Sequence, residues 1–213
     1  MKRPPGCDTS RSEPHARGTS PSPARDWEYQ THRFYLRLKA GDELGARRVV
    51  DRLTHAHCDV LAMCENLFTP VLSRIGAEWA AGSLSVAEEH RASAICARLL
   101  DRIEVRRSGP PRGVCIVATV QGEQHGLPAI MAAQVLKAEG WLVHHVGTSV
   151  PARDVAALAQ AEHSDFVVLS ATRPGAVEVT EVAARVIRWV TQRPVYVGGP
   201  GATLRQLLEQ AAS

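Results

Sequence analysis

The chain of 213 residues is 45% hydrophobic and 22% charged, a composition typical of a globular protein of one or two domains. It holds no run of about 18 apolar residues, so no membrane-spanning helix is predicted. The net charge of +3 is small for a dedicated nucleic-acid-binding protein. Five scattered cysteines without a CxxC pair argue against a disulfide framework or a zinc cluster and favour a reducing cytoplasm.

Residues 1–26 are predicted to form a disordered tail, because they hold five of the 13 prolines and no aromatic residue. Over 27–107 the apolar residues recur at helical spacing, which predicts a four-helix bundle. Ser85 and Glu88 are predicted to form a capping box that opens the last helix. Pro70 is expected to kink the third helix.

A second domain is predicted over 113–213, after a linker at 108–112. Short β-branched runs alternate there with helical segments, a pattern typical of a parallel sheet with right-handed crossovers. The predicted fold class is α + α/β, with a four-helix bundle followed by a flavodoxin-like, Rossmann-type sheet. The strands lack polar alternation, so both faces of the sheet are expected to be covered. Trp141 and Trp189 are expected to be core residues rather than cofactor contacts. The predicted strands span 113–120, 141–146, 165–170 and 194–198, and the helices 127–139, 151–162, 175–192 and 202–212.

Three polar or glycine-rich loops follow predicted strands, at the sheet edge where open α/β folds bind ligands. They span 121–126, 170–172 and 198–201. His125 in the first loop can bind a metal through one ring nitrogen while Glu123 accepts a hydrogen bond from the other. By itself the pair is more often a solvated loop histidine beside a glutamate.

Together, the three loops resemble those of cobalamin-binding domains of the base-off, His-on type. The chain reads Glu-x-His-x-x-Pro over 123–128, then 41 residues, then Ser-Ala-Thr over 170–172, then 25 residues and Gly-Gly. The resemblance implies that His125 is the lower ligand of cobalt and that Glu123 orients it. Glu123, Pro128 and Thr172 stand where the family pattern has Asp, Gly and Leu. The further cofactor-binding residues that it implies are Gly126, Ser170, Thr172, Gly198 and Gly199.

A second set of residues, in the helical region, resembles the W…V…EH signature of the light-sensing cobalamin proteins typified by the carotenoid-gene repressors. In that family a helical bundle covers the upper face of the corrin ring. The resemblance implies that Trp79 caps the upper axial group and that Val86 lines the cavity. It implies that Glu89 hydrogen-bonds the adenosyl ribose and that His90 becomes a cobalt ligand after photolysis.

The resemblance implies a cobalamin-dependent light sensor, not an enzyme, with adenosylcobalamin as cofactor and no catalytic residues. Light would break the Co–C bond and move the bundle relative to the sheet, which would change an assembly or a partner contact. The repressors carry a DNA-binding domain where this chain has 26 residues, so we expect no direct DNA binding, and a homo-oligomer or a partner signalling protein instead. Light sensors of the photocobilin type also bind biliverdin, a candidate second chromophore here. Relative to the family, the chain is expected to lack the last strand–helix unit.

Two enzymatic systems remain open as alternatives. A corrinoid protein that carries methyl groups between methyltransferase subunits shares the architecture and the lower histidine, but the bulky Trp79 would obstruct its upper face. A radical-mutase subunit shares the sheet domain but has no preceding bundle of this kind. No membrane association is expected.

Overall fold

The computed structural model describes residues 26–105, 109–173 and 175–212. The predicted disordered tail therefore lies, except for Asp26, outside the described residues, as do the end of the predicted bundle and the first residue of the predicted linker. Residues 26–105 are called the helical half below, and residues 109–212 the sheet half. No helix in the described ranges is both long enough and apolar enough to span a bilayer.

The helical half begins with two helices whose ends are set by their flanking residues. Helix α1, Trp27–Ala40, ends at Gly41, whose φ of 71° is the left-handed conformation that glycine adopts without strain. Helix α2, Glu43–His55, begins after Asp42, whose carboxylate accepts a hydrogen bond from the backbone N–H of Gly45. The predicted N-cap at Asp42 is therefore confirmed.

The third predicted helix contains a π turn. It consists of α3 (Val60–Met63), the π turn (Cys64–Phe68) and α4 (Thr69–Ala80). Pro70 lies in the first turn of α4, where its missing N–H leaves the Asn66 carbonyl without the usual helical donor. That carbonyl instead accepts a hydrogen bond from Thr31 Oγ1 of α1 at 2.8 Å. The helix is thus interrupted by a π turn just before Pro70.

The last helix of this half, α5 (Val86–Asp101), opens with the predicted capping box. Ser85 accepts a hydrogen bond from the backbone N–H of Glu88, and the Glu88 carboxylate accepts one from the backbone N–H of Ser85. The helices enclose one apolar core, in which the rings of Phe34 and Phe68 meet edge to face at 5.3 Å.

The sheet half contains a parallel sheet in the order β2-β1-β3-β4. The prediction of an α + α/β fold class with a parallel sheet is confirmed. Its strands are β1 (Val114–Val120), β2 (Leu142–Val150), β3 (Phe166–Ser170) and β4 (Val195–Gly198), and its helices are α6 (Leu127–Ala138), α7 (Ala152–Ala161), α8 (Ala176–Thr191) and α9 (Leu204–Ala212).

Helices cover both faces of this sheet. One core cluster joins α7 and α8 to one face, and another joins α6 and α9 to the opposite face. Met131 and Val135 of α6 are also buried in the core of the helical half. The helical half therefore packs on the α6 side, and α7 and α8 lie on the far side.

Two expectations about burial are wrong. The central strands β1 and β3 are buried as predicted, but the residues of β2 are exposed or half-buried because β2 is an edge strand. Trp141 is buried against Phe166 as expected, whereas Trp189 is 79% exposed on α8. The apolar residues of α8 extend beyond the face that packs on the sheet, so its sequence pattern alone did not locate its core side.

Candidate cofactor site

The three predicted loops lie at the carboxyl ends of β1, β3 and β4. The parallel register aligns Ser170 at the end of β3 with Gly198 at the end of β4. The backbone N–H of Ala171 donates to the carbonyl of Gly198 at 2.7 Å, and that of Thr172 donates to Glu123 Oε2 at 3.0 Å. The structure therefore brings the three loops together at one edge of the sheet, where open α/β folds bind ligands.

Glu123 is the centre of this group. Its side chain is only 1% exposed. Oε1 accepts hydrogen bonds from the backbone N–H of His125 at 2.9 Å and from His125 Nδ1 at 2.7 Å. Oε2 accepts from the backbone N–H groups of Thr172 and Arg173. One carboxylate thus fixes the histidine of the first loop and the backbone of the second.

The charge state of Glu123 fixes the tautomer of His125. Burial of Glu123 acts to raise its pKa, but hydrogen bonds from His125, Thr172 and Arg173 outweigh it and lower the pKa to about 2. The ionised carboxylate can only accept, so Nδ1 of His125 carries the proton. In the neutral ring the lone pair then lies on Nε2, the nitrogen that can bind a metal, and the His125 side chain is 55% exposed.

Thr119 of β1 and Ser149 near the end of β2 hold the first loop in place. Thr119 Oγ1 donates to the Glu123 carbonyl at 2.7 Å, and the backbone N–H of Ser149 donates to the same carbonyl at 3.1 Å. Ser149 Oγ also accepts from the backbone N–H of Gly122 at 3.1 Å. Ser149 belongs to the part of β2 beyond residue 146, which the sequence prediction omitted, so this support was missed.

Arg173 is a second residue that sequence reasoning missed. Its Nη2 donates to the carbonyl of Gly122 at 2.8 Å, and its Nε lies 3.9 Å from Glu123 Oε1. The guanidinium thus joins the loop after β3 to the loop after β1. One indication of this role was present in the sequence, because Arg173 directly follows the Ser-Ala-Thr motif.

A cavity of about 590 Å³ opens beside the second and third loops, within the size range of small-molecule sites. Ser170, Thr172, Gly198 and Gly199 line it on the sheet side, together with Pro128. The helical half also contributes to its wall through residues 65, 69 and 73. Two halves of the chain therefore share this cavity.

Two of the predicted glycines stand where a side chain would crowd a neighbour. A Cβ at Gly126 would lie 2.8 Å from Thr148 Cγ2, and one at Gly199 would lie 3.2 Å from Val177 Cγ2. Both positions let backbone lie close to the cavity or the histidine. The cavity, its glycines and the free Nε2 of His125 fit a large cofactor that takes one axial ligand from the protein.

The second predicted set of residues lies around the turn between α4 and α5. Trp79 is 50% exposed near the end of α4, and Val86 is exposed at the start of α5. Glu89 Oε2 lies 2.6 Å from His90 Nδ1, and Glu89 Oε1 accepts from Ser93 Oγ at 2.6 Å. Among the described residues, no hydrogen bond or ion pair joins these four side chains to the loops at the sheet edge.

Glu78, next to Trp79, anchors this turn. Its carboxylate accepts hydrogen bonds from Tyr35 Oη at 2.7 Å, Lys39 Nζ at 2.9 Å and Arg74 Nε at 3.1 Å. Its carbonyl accepts from the backbone N–H and the hydroxyl of Ser83, both at 2.9 Å. The hydrogen bond from Tyr35, with those from Lys39 and Arg74, lowers the pKa of Glu78 to about 2 despite partial desolvation. The end of α4 that carries Trp79 is therefore held firmly although Trp79 itself is half exposed.

Within the described ranges, no group of three or more histidine, cysteine or carboxylate side chains is arranged to hold a metal ion. His125 and His90 are single potential ligands in separate groups. Ligation by one histidine suits a metal whose equatorial ligands come from a macrocycle, as in haem proteins.

Comparison with known proteins identifies the family. A family model described as a B12 binding domain matches residues 30–104, and a second model with the same description matches residues 113–212. The chain is 32% identical over 145 residues to the HTH-type transcriptional repressor CarH of Myxococcus xanthus. The match covers 67% of this chain and 48% of that protein, so the chain spans about half the length of this curated relative.

Among solved structures, the monomethylamine corrinoid protein of Methanosarcina barkeri superposes with a TM-score of 0.62. The match covers 85% of this chain and 89% of that one at 13% identity, and therefore shows a shared fold. Both halves of the chain thus match B12-binding models, and the repressor similarity extends over most of it. The chain belongs to the B12-binding protein family, as a CarH-like cobalamin-binding module.

Proposed function

We propose that this chain is a cobalamin-dependent light sensor that binds adenosylcobalamin base-off, with His125 as the lower ligand of cobalt. The observation that carries the proposal is the Glu123–His125 pair, in which a buried, ionised carboxylate holds Nδ1 and leaves Nε2 as a metal ligand. We assign residues 113–213 as the cobalamin-binding domain and residues 27–107 as its cap.

In this function the sheet half holds the lower side of the cofactor. Glu123 keeps His125 in one tautomer and orientation, and the N–H groups of Thr172 and Arg173 keep Glu123 ionised. Gly126, Ser170, Thr172, Gly198 and Gly199 are the proposed contacts of the nucleotide tail, in the cavity that four of them line. The small residues among them let the backbone approach that tail closely.

The helical half serves the upper side. The bound cofactor would supply a cobalt–carbon bond that visible light breaks. Trp79 and Val86 present apolar surface to cover the adenosyl group, and both are exposed and available for this contact. Glu89 is the proposed hydrogen-bond partner of the ribose, and its neighbour His90 is the proposed second histidine ligand.

The output would be a change in the contact between the two halves, passed to another copy or to a partner signalling protein. We do not assign DNA binding to these residues, and we assign the protein to the cytoplasm. Biliverdin is a proposed second chromophore, although no residue is assigned to it. We propose that the chain is not itself an enzyme.

A direct test is the visible spectrum of the full chain loaded with adenosylcobalamin, recorded before and after green light. The proposal expects a spectral change faster than that of free adenosylcobalamin under the same light, and expects His125→Ala to alter it. A change no faster than that of the free cofactor, or one indifferent to His125→Ala, would contradict the proposal. Loading with biliverdin as well tests the second chromophore by its own absorption band.

The alternative function is a corrinoid protein that carries methyl groups for a methyltransferase system. The strongly exposed His90 leaves its side of the helical half open to a partner enzyme, which favours this alternative, whereas the bulky Trp79 argues against it. It predicts that the methylcobalamin-loaded chain is demethylated by a partner enzyme and a thiol acceptor, and that the chain does not retain adenosylcobalamin.

A further inference from the structure

Helix α8 carries an apolar stripe on its outer face. The stripe consists of Val179, Val182, Val186 and Trp189, each between 45% and 79% exposed. Their spacing of three, four and three residues is the a/d spacing of a helix that pairs with another helix. The opposite face of α8 is already buried against the sheet half through Thr180, Ala183, Ala184 and Ile187.

No part of the described chain covers this stripe. The helical half packs on the α6 side of the sheet, whereas α8 lies on the far side with α7. The stripe is therefore not part of the cap or of the cavity assigned to the cofactor. A row of four exposed apolar side chains that includes a tryptophan is typical of an interaction surface.

Charges along α8 indicate what the stripe binds. The first half of the helix carries Glu178 and Glu181, and the second half carries Arg185 and Arg188. Arg188 is partly engaged, since its Nη2 donates to the carbonyl of Val195. Two copies of α8 side by side in antiparallel orientation would each place an acidic half against a basic half. A parallel pair would place like charges together, which is unfavourable.

We propose that a second copy of this chain docks along α8, antiparallel and related by a two-fold axis. The axis would pass near Ala184, so that Val179 of each copy faces Trp189 of the other and Val182 faces Val186. Glu181 of one copy would then lie close to Arg185 of the other. Such an interface is self-complementary, as a two-fold dimer requires.

The interface would be small and the dimer correspondingly weak. The 16 residues of α8 span about 24 Å at 1.5 Å per residue. A single helix pair of this length buries less than a standard interface, so we expect a dissociation constant on the order of micromolar or weaker. The dimer would therefore depend on protein concentration, and this dependence can be measured.

This surface begins at the candidate cofactor site. Helix α8 starts just after the loop in which the N–H groups of Thr172 and Arg173 hold Glu123. Val179, the first residue of the stripe, lines a depression together with Glu123 and Arg173. The surface is nevertheless inferred from α8 alone and does not depend on which cofactor is bound.

The first test is sedimentation velocity of the full chain over a wide range of concentrations. We expect a monomer–dimer equilibrium that Val182→Glu and Trp189→Glu each weaken at least about tenfold. The matched control is Leu44→Glu, because Leu44 is 67% exposed on α2, far from α8 in the chain. Circular dichroism melts verify that each variant folds.

The second test uses charge. Arg185→Glu makes the exposed side of α8 mainly acidic, and Glu181→Arg makes it mainly basic. Each variant alone should dimerise more weakly than the parent chain, and an equal mixture should recover a mixed dimer. In a parallel pair the parent chain would already place like charges together, so the single variants would not dimerise more weakly than the parent. Weaker dimerisation of each variant, with recovery on mixing, therefore indicates antiparallel pairing through α8.

Several results would overturn the proposal. A parent chain that stays monomeric at all concentrations would show that the stripe does not bind a second copy. A dimer that Val182→Glu and Trp189→Glu leave intact, or that Leu44→Glu weakens equally, would use a different surface. Failure of the mixture to recover would exclude the antiparallel charge pairing.

Discussion

The two groups of proposed cofactor residues differ sharply in how the chain holds them. At the sheet edge, Glu123 is buried and accepts four hydrogen bonds, three of them from backbone N–H groups. At the turn between α4 and α5, Trp79 and Val86 are exposed, and His90 is bonded only to its neighbour Glu89 within the described part of the chain. The residues at the sheet edge, called the lower group below, are preorganised by the fold. The residues at the turn between α4 and α5, called the upper group below, are exposed side chains on a firmly anchored turn.

This difference suits a sensor whose lower ligand must hold the cofactor permanently while the upper side responds. Preorganised ligands bind without a further cost of ordering. Exposed side chains can change their contacts without disturbing a core. Substitutions in the two groups should therefore have different effects on cofactor binding and on stability.

The largest effect is expected from Glu123→Ala. Without the carboxylate, Nδ1 of His125 loses its acceptor and the second loop loses its anchor. Loss of such an outer partner typically lowers metal affinity about 10–100-fold, and we expect a loss of that order for all cobalamins alike. Absorption titration with hydroxocobalamin and adenosylcobalamin measures it, with exposed Glu139→Ala as the control. Parent-like affinity in Glu123→Ala would contradict the proposal that Glu123 and His125 hold the cofactor.

Trp79→Ala should change the choice of cofactor rather than binding in general. Because Trp79 would touch only the upper axial group, we expect the preference for adenosylcobalamin over hydroxocobalamin to fall about tenfold, with hydroxocobalamin affinity little changed. Competitive titration of the two cofactors measures this preference. Equal losses for both would show that Trp79 supports the fold instead.

The anchor of the upper group should give a pH effect on the chain without cofactor. The pKa of Glu78 is lowered from 4.5 to about 2, chiefly by the Tyr35 hydrogen bond, so its ionised form stabilises the folded state above pH 4.5. This contribution is lost as the pH falls towards 2. The difference in melting temperature between the parent chain and Glu78→Gln should therefore shrink on acidification. Glu139→Gln, at an exposed position, is the control. A melting-temperature difference between the parent chain and Glu78→Gln that stays constant with pH would contradict the assigned hydrogen bonds.

The smallest effect is expected from Arg173→Ala. The substitution removes the ion pair with Glu123 and the hydrogen bond to the Gly122 carbonyl. The Arg173 side chain is more than half exposed, so solvent screens the ion pair and its loss costs little. We expect cobalamin affinity to fall about two- to fivefold, measured by the same titration. Arg193→Ala is a matched control on an exposed loop. A loss as large as that of Glu123→Ala would mean that Arg173 itself contacts the cofactor.

The sequence was informative where local spacing determines the structure. The capping box at Ser85, the alternation of strands and helices, and the placement of Glu123 and His125 after β1 all depend on residues close in the chain. The meeting of the three loops followed from the parallel order of the strands.

What the sequence did not predict depends on contacts between distant residues. Ser149 and Arg173 support the site through bonds to Gly122, 27 and 51 residues away, which only the strand register defines. In the π turn before Pro70, the carbonyl of Asn66 accepts its hydrogen bond from Thr31 of another helix. Trp189 was expected in the core, but it lies on an exposed face of α8, and only the packing of α8 on the sheet defines which face is buried.

The central claim is that His125, held by Glu123, is a ligand of cobalt. It is tested most directly by electron paramagnetic resonance of the chain loaded with a cobalt(II) corrinoid, prepared with unlabelled and with ¹⁵N-labelled histidine. If His125 binds cobalt, labelling changes the nitrogen splitting from triplets to doublets, and His125→Ala abolishes that change. A splitting that is unaffected by the label would show that the axial ligand is not a histidine and would contradict the assignment of His125 as a cobalt ligand.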